Sequence, residues 1–242
     1  NGRQFQTYSM SFTEPWFGGK RPNSFTVGIN RSVQRSLSST NEVLSRLAIN
    51  GFNVSLGKRL RWPDDYFTLM TTLNVQRYDL FNYTLISGSD FGKDQTYSNS
   101  IAFNTTLSRN SLNNPTFPTT GSSLSLIVNV TPPYSLFRSN NRFSSDKERF
   151  KWVEFHKWNV DASWFTPLAK NLVINTRAHF GYIGNYNKQL GIGPFERFRL
   201  GGSGLSGFNF LLGYDIIALR GYNDGTVGTP LGIEAGVLFN KF

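Results

Sequence analysis

The feature that most constrains this chain is a side-chain period of two, sustained over long runs. Tyr8, Met10 and Phe12 alternate with Thr7, Ser9 and Ser11. Phe25, Val27 and Ile29 alternate with Thr26, Gly28 and Asn30, and Phe67, Leu69, Leu73 and Val75 alternate with Thr68, Thr72 and Asn74. The same pattern returns in "IAFNTTL", "WNVDASW", "LVINTRAHF" and "GIEAGVLF". Strict alternation over such lengths is the signature of strands with one apolar and one polar face. It predicts nine strands, near 5–14, 23–36, 43–57, 66–80, 98–110, 121–132, 151–166, 171–184 and 230–242. Between Val43 and Gly57 the apolar phase changes near Gly51, which predicts a bulge or bend there.

The connections predict an order for these strands. Short ones carry turn residues: "PWFGGKRP", "KRLRWPDD", "NNPTFPTTG" and "TPLAK". The long ones, near 37–42, 81–97, 133–150 and 185–229, are polar. This is an antiparallel up-and-down meander with tight turns at one end. Alternation alone fits a soluble sandwich, apolar face inward, or a membrane barrel, apolar face on lipid. Three features favour the barrel. The strands are long enough for a tilted membrane crossing. Trp16, Trp62, Tyr66, Trp152 and Trp164 sit near strand ends, where interfacial aromatic belts form. The turn lengths are asymmetric. The fold class is therefore all-β, a transmembrane β-barrel segment spanning residues 1–242.

Chemistry is sparse. Cysteine is absent and histidine occurs twice, so a zinc site would rest on carboxylates. His179 shares the polar face with Arg177 and is read as a solvated lumen residue. Ser163 lies on the strand before it without a local nucleophile signature. "GGSGLSG" lacks the following helix that a phosphate cradle needs, and is read as a flexible loop. "SSDKERFKW" is read as a solvated loop edge, and "RLRW" as an interfacial anchor or solvated turn. The formal net charge is +10, but the cations are dispersed and nucleic acid is not an expected partner. No cofactor is expected.

The segment 185–229 is too long and too rich in Gly and Phe for an idle connection. A loop of that size can fold back into a wide lumen. There Arg220 would pair with a carboxylate on the inner wall, Gly221 would allow a sharp backbone path, and Tyr222 would pack.

Ordered motifs carry a resemblance. "FERFRLGGSGLSGF … LRGY" resembles the sixth extracellular loop of the BamA family of outer-membrane assembly factors. In that family a Gly-Gly approach, here Gly201 and Gly202, leads to a lumen-lodged tip, here Leu219, Arg220, Gly221 and Tyr222. "FQTYSMSFTEPWFGG" resembles the family's strand and (N/E)P(Y/W)F turn, at Glu14 to Phe17. "NNPTFPTTGSSLSL" resembles its FPT-x-G turn, at Phe117 to Gly121. The resemblance runs from about residue 5 to 242. It implies a barrel of about sixteen strands preceded by POTRA domains, of which this chain resembles strands four to twelve. The POTRA domains, the terminal strands and the usual acidic partner of the loop arginine would then lie outside it. Glu234 is the fallback partner. The odd strand count agrees, since nine strands cannot close an even-numbered barrel and open edges do not survive in lipid. The chain is expected to be part of a longer polypeptide.

What the resemblance implies is a non-enzymatic function in the outer membrane of a Gram-negative-type bacterium: folding and inserting client outer-membrane proteins. The implied partners are outer-membrane lipids, client β-barrels, accessory assembly lipoproteins and, through the POTRA domains, periplasmic chaperones. Alternatives are a polypeptide-translocating relative of the two-partner-secretion type, a passive anion-favouring porin-like channel, and an outer-membrane hydrolase.

Overall fold

The structure is a computed structural model, and it describes residues 2–19, 22–83, 85, 89–137, 143, 145–170, 172–201, 212–223 and 238–241. The strands are β1 (Phe5–Glu14), β2 (Asn23–Leu37), β3 (Val43–Arg59), β4 (Phe67–Phe81), β5 (Gln95–Asn110), β6 (Gly121–Val130), β7 (His156–Ala169), β8 (Leu172–Gly184), β9 (Phe198–Leu200), β10 (Asp215–Ile217) and β11 (Leu238–Lys241). Nine of them form one sheet in the order β1-β2-β3-β4-β5-β6-β7-β8-β11, every neighbour antiparallel. β9 and β10 make a separate parallel pair. Among the described residues the sheet is not closed, and β1 and β11 are its edges.

The register aligns the alternating residues into continuous rows. Phe12, Val27, Val54, Leu73, Phe103 and Val130 are successive cross-strand partners. This outer face leaves Met10 75% and Phe12 66% exposed, with Ile29, Phe52, Leu56, Trp158 and Ile174 also open. An unpartnered apolar face of that extent marks a surface solvated by lipid. The opposite, inner face carries small polar side chains such as Ser9, Asn30, Asn53, Asn74 and Ser125, set one residue out of phase in the same ladders. The chain is therefore a transmembrane barrel segment, apolar outward. Trp16, Phe17, Trp62, Tyr66 and Phe117 are exposed at the short-turn end, where they form an aromatic girdle. Trp152 is different: it lies at the opposite end, its ring 4.9 Å from that of Tyr134.

The apolar phase change near Gly51 is not a bulge. The ladders of β3 with β2 and with β4 run through Gly51 in unbroken register; the β2–β3 irregularity lies at Ser36/Leu37. Phe52, Val54 and Leu56 point outward, whereas Leu47 and Ile49 point inward. The inner apolar residues Leu47 and Ile49 lie in the half of the barrel that something covers. Leu47, Ile49, Tyr78, Leu80 and Ile183 there form a core with loop residues Phe91, Phe150, Phe195, Phe198, Leu212 and Tyr214. The connection 38–42 is a tight turn, closed by the Ser38 amide on the Glu42 carbonyl at 2.9 Å. Residues 151–155, expected in a strand, are not part of β7. The Asn99 amide donates to the Lys151 carbonyl and the Val153 amide to Asn99, both at 2.9 Å, so this stretch lies beside β5 beyond the end of β6.

Candidate functional site

The described part of the long segment after β8 is seated on the inner face. Apolar burial drives it there: the Phe195 ring stacks on Tyr78 with centroids 4.3 Å apart and meets Phe91 edge-on at 6.1 Å. Phe198 lies against β8 at Gly181, where a Cβ would come within 2.8 Å of its ring. The segment also satisfies its own backbone. Arg197 donates to the carbonyls of Gly193 and Ile192 at 2.7 and 2.9 Å, and the Tyr214 hydroxyl donates to Pro194 at 2.7 Å. The β9–β10 pair then sets Phe198 opposite Asp215.

One cation of the wall holds this segment. Lys157, inward on β7 and 5% exposed, places its ammonium 2.9 Å from Asp215 Oδ2 and 3.3 Å from Glu196 Oε2. It donates to the Gly213 carbonyl at 3.2 Å and sits 5.1 Å from the Phe198 ring centre. Asn159, next on the same face, donates to Asp215 Oδ2 at 2.9 Å. Burial of Glu196 raises its carboxyl above the ordinary range, against the opposing pull of Lys157. Gly213 has φ +72°, and a Cβ there would stand 2.1 Å from Glu196 Oε1. A side chain at that position would displace the carboxylate from the ammonium.

The tip follows β10. Gly201 donates its amide to the Ile217 carbonyl at 3.1 Å, and a Cβ on it would meet the Asn223 carbonyl oxygen at 2.4 Å. The Gly201 backbone therefore abuts the residue after Tyr222, which joins the expected approach to the expected tip. The turn closes from the Tyr222 amide to the Leu219 carbonyl at 3.4 Å, with Gly221 at φ +89°. Leu219, Arg220, Gly221 and Tyr222 are exposed in this chain, and no described residue pairs with the Arg220 guanidinium. Gly202 and Glu234 lie outside the described residues, as does "GSGLSG".

Other candidates sort out by register. His179 Nδ1 pairs with Asp161 Oδ1 directly across β7–β8, while Ser163 stands opposite Arg177. Among the described residues no group of three metal-ligating side chains occurs. "SSDKERFKW" is not a solvated edge. Ser145 caps a short helix, α1 (Asp146–Arg149). The Ser89 hydroxyl donates to Asp146 at 2.6 Å, Arg149 donates to the Leu190 carbonyl at 2.6 Å, and Phe150 is buried. Lys157, Asn159, Glu196 and Asp215 escaped the sequence reading. The available signal was a lysine in the polar phase of "HKWNVDASW" together with two acids in a segment rich in Gly and Phe.

A nine-stranded meander with an apolar outer face and a long connection latched to its inner wall defines a class: the large outer-membrane-type barrels with an in-folded loop. The chain belongs to the Omp85 superfamily, whose domain model matches residues 1–234. Among solved structures it is similar to BamA from Haemophilus ducreyi lacking POTRA domains 1–3, with a TM-score of 0.63 at 19% identity. That match covers 93% of this chain and 39% of the other, so the chain spans well under half of that protein's length. No curated protein matches it.

Proposed function

We propose that this chain is the central barrel segment of an outer-membrane assembly factor that folds and inserts client β-barrel proteins without enzymatic chemistry. The observation that carries the reading is the pairing of Omp85 membership with a loop seated on the inner wall by Lys157. In that reading the latch keeps residues 185–201 and 212–223 in the lumen and presents the tip, Leu219 to Tyr222, to wall strands beyond this chain. Arg220 takes its carboxylate partner there or at Glu234, and holds the working shape of the barrel. Clients, accessory lipoproteins and POTRA-bound chaperones are the partners this role requires. An exposed strand edge and a locally perturbed bilayer lower the insertion barrier.

The test is reconstitution of the full-length protein in vesicles supplied with an unfolded client barrel. Faster acquisition of a protease-resistant, heat-modifiable client in the membrane supports the proposal, and Arg220→Ala should slow it. A client delivered into the vesicle interior without membrane integration identifies a translocator instead. A rate equal to that of empty vesicles removes the reading.

A further inference from the structure

The outer face is not uniformly apolar. At the end away from the short turns, the row Met10, Ile29, Phe52, Val75 and Ile101 is followed, two residues on, by Tyr8, Arg31, Asn50, Arg77 and Asn99. A further four residues along β2 brings Arg35, directly opposite Arg46 of β3. All four arginines project from the lipid-facing side of β2, β3 and β4. On the same strands Asp79 is the one carboxylate on this face among them, and it is already engaged. It accepts from Arg77 Nε at 3.0 Å and from Asn50 at 3.3 Å, while Asn50 accepts from Arg31 at 3.2 Å. Arg77 lies over the Tyr97 ring at 4.7 Å, with the Lys151 ammonium 5.6 Å from the same ring.

Two details point to an anion. Arg35, which donates to the Arg3 carbonyl at 3.3 Å and to Gln6 Oε1 at 3.0 Å, and Arg46 are like charges on directly opposed residues, an arrangement whose cost an anion beside them would relieve. Arg46 Nε is buried without a hydrogen-bond partner, a cost that an acceptor would remove. The corresponding end of β6 to β8 presents Val130, His156 and Tyr182 outward instead, so among these strands the arginine cluster belongs to β2, β3 and β4.

We propose that this arginine patch binds the headgroup of an anionic phospholipid, through its phosphate, in the leaflet at the long-connection end. The placement selects a lipid: the patch begins one row beyond apolar side chains that face acyl tails, at the depth where headgroups start. Guanidinium forks suit phosphate oxygens bidentately.

The experiment is native mass spectrometry of the full-length protein in a zwitterionic detergent, titrated with phosphatidylglycerol or phosphatidylcholine. Wild-type protein should retain phosphatidylglycerol preferentially. Each basic residue near a charged lipid surface contributes roughly a fivefold preference, so Arg31→Ala with Arg77→Ala should cut retention roughly 25-fold. Arg31→Lys with Arg77→Lys should keep most of it. Arg177→Ala, the same loss of charge on the inner face, should change nothing. Equal retention of the two lipids by wild-type protein overturns the proposal without any variant. An equal loss in the Arg177 variant, or full competition by millimolar inorganic phosphate, overturns it as well.

Discussion

Replacing Lys157 by Met tests what seats the long loop. The substitution keeps most of the side-chain volume over Phe198 and removes the charge. Breaking one partner out of a buried ion pair costs about 3–5 kcal/mol. Here the carboxylates are not equally trapped. The side chain of Asp215 is 44% exposed and keeps Asn159, so it rehydrates, whereas that of Glu196 is 20% exposed. The cost therefore falls to about 2–3 kcal/mol, the upper part of the range for hydrogen bonds to charged groups. That is a shift of about 30- to 150-fold in the docked-to-undocked equilibrium. Hydrogen exchange in the full-length protein reads it directly. The amides of Glu196, Asp215 and Gly201 donate to Leu212, Arg197 and Ile217 only when the loop is folded on itself. Their protection should fall by that factor, while β4 and β5 amides stay unchanged. Adding Glu196→Gln to the Lys157→Met variant should restore much of the protection, because the charge then left beside the vacated site is that of Asp215, which is partly exposed and still held by Asn159. Unchanged exchange at these three amides after Lys157→Met would refute the latch, since apolar packing alone would then suffice.

Three further outcomes follow from the same geometry. Burial raises the Glu196 carboxyl in the docked loop, so this group's own contribution to docking is full below the ordinary carboxylate range and is lost as pH rises through the raised value; Glu196→Gln should remove that component from exchange measured against pH. Gly201→Ala drives a Cβ into the Asn223 backbone at φ +108°, which should cost about 1–3 kcal/mol and speed proteolysis within 195–223. Leu73→Arg places a charge on the lipid side and should destabilise folding into bilayers by about 2–4 kcal/mol, whereas Asn74→Arg, on the inner side, should cost far less in a urea titration of the reconstituted barrel.

How legible all this was depends on what each residue's environment repeats. The strands were readable because every rung meets the same two media. β1 (Phe5–Glu14) lies where the alternation puts it, and β2 and β3 run only one and two residues beyond their expected ends. The error at Gly51 came from treating hydrophobic phase as backbone phase. Leu47 and Ile49 are apolar because the loop covers them, and no period within β3 reports what lies above it. Of the Gly-Gly motif, Gly201 abuts Asn223, beside the tip, and Gly202 lies outside the described residues. The latch was not legible, because its three charges lie at 157, 196 and 215, separated by an entire strand and a loop, and each taken alone reads as a solvated polar residue.

That separation suggests how the two electrostatic features of this barrel divide their work. Lys157 is a cation taken out of water, and it is stable only because two carboxylates and a carbonyl surround it; its field ends within the loop it holds. The arginines of β2, β3 and β4 outnumber the carboxylate that shares their face four to one, so their field reaches outward. A charge that is neutralised internally fixes a shape, and one that is not recruits something from outside. The same distinction applies to Arg220. It ends an apolar run in which Ile217 packs against the core, and it stands exposed beyond that run. In the proposed function that exposed guanidinium takes a carboxylate of the inner wall as its partner.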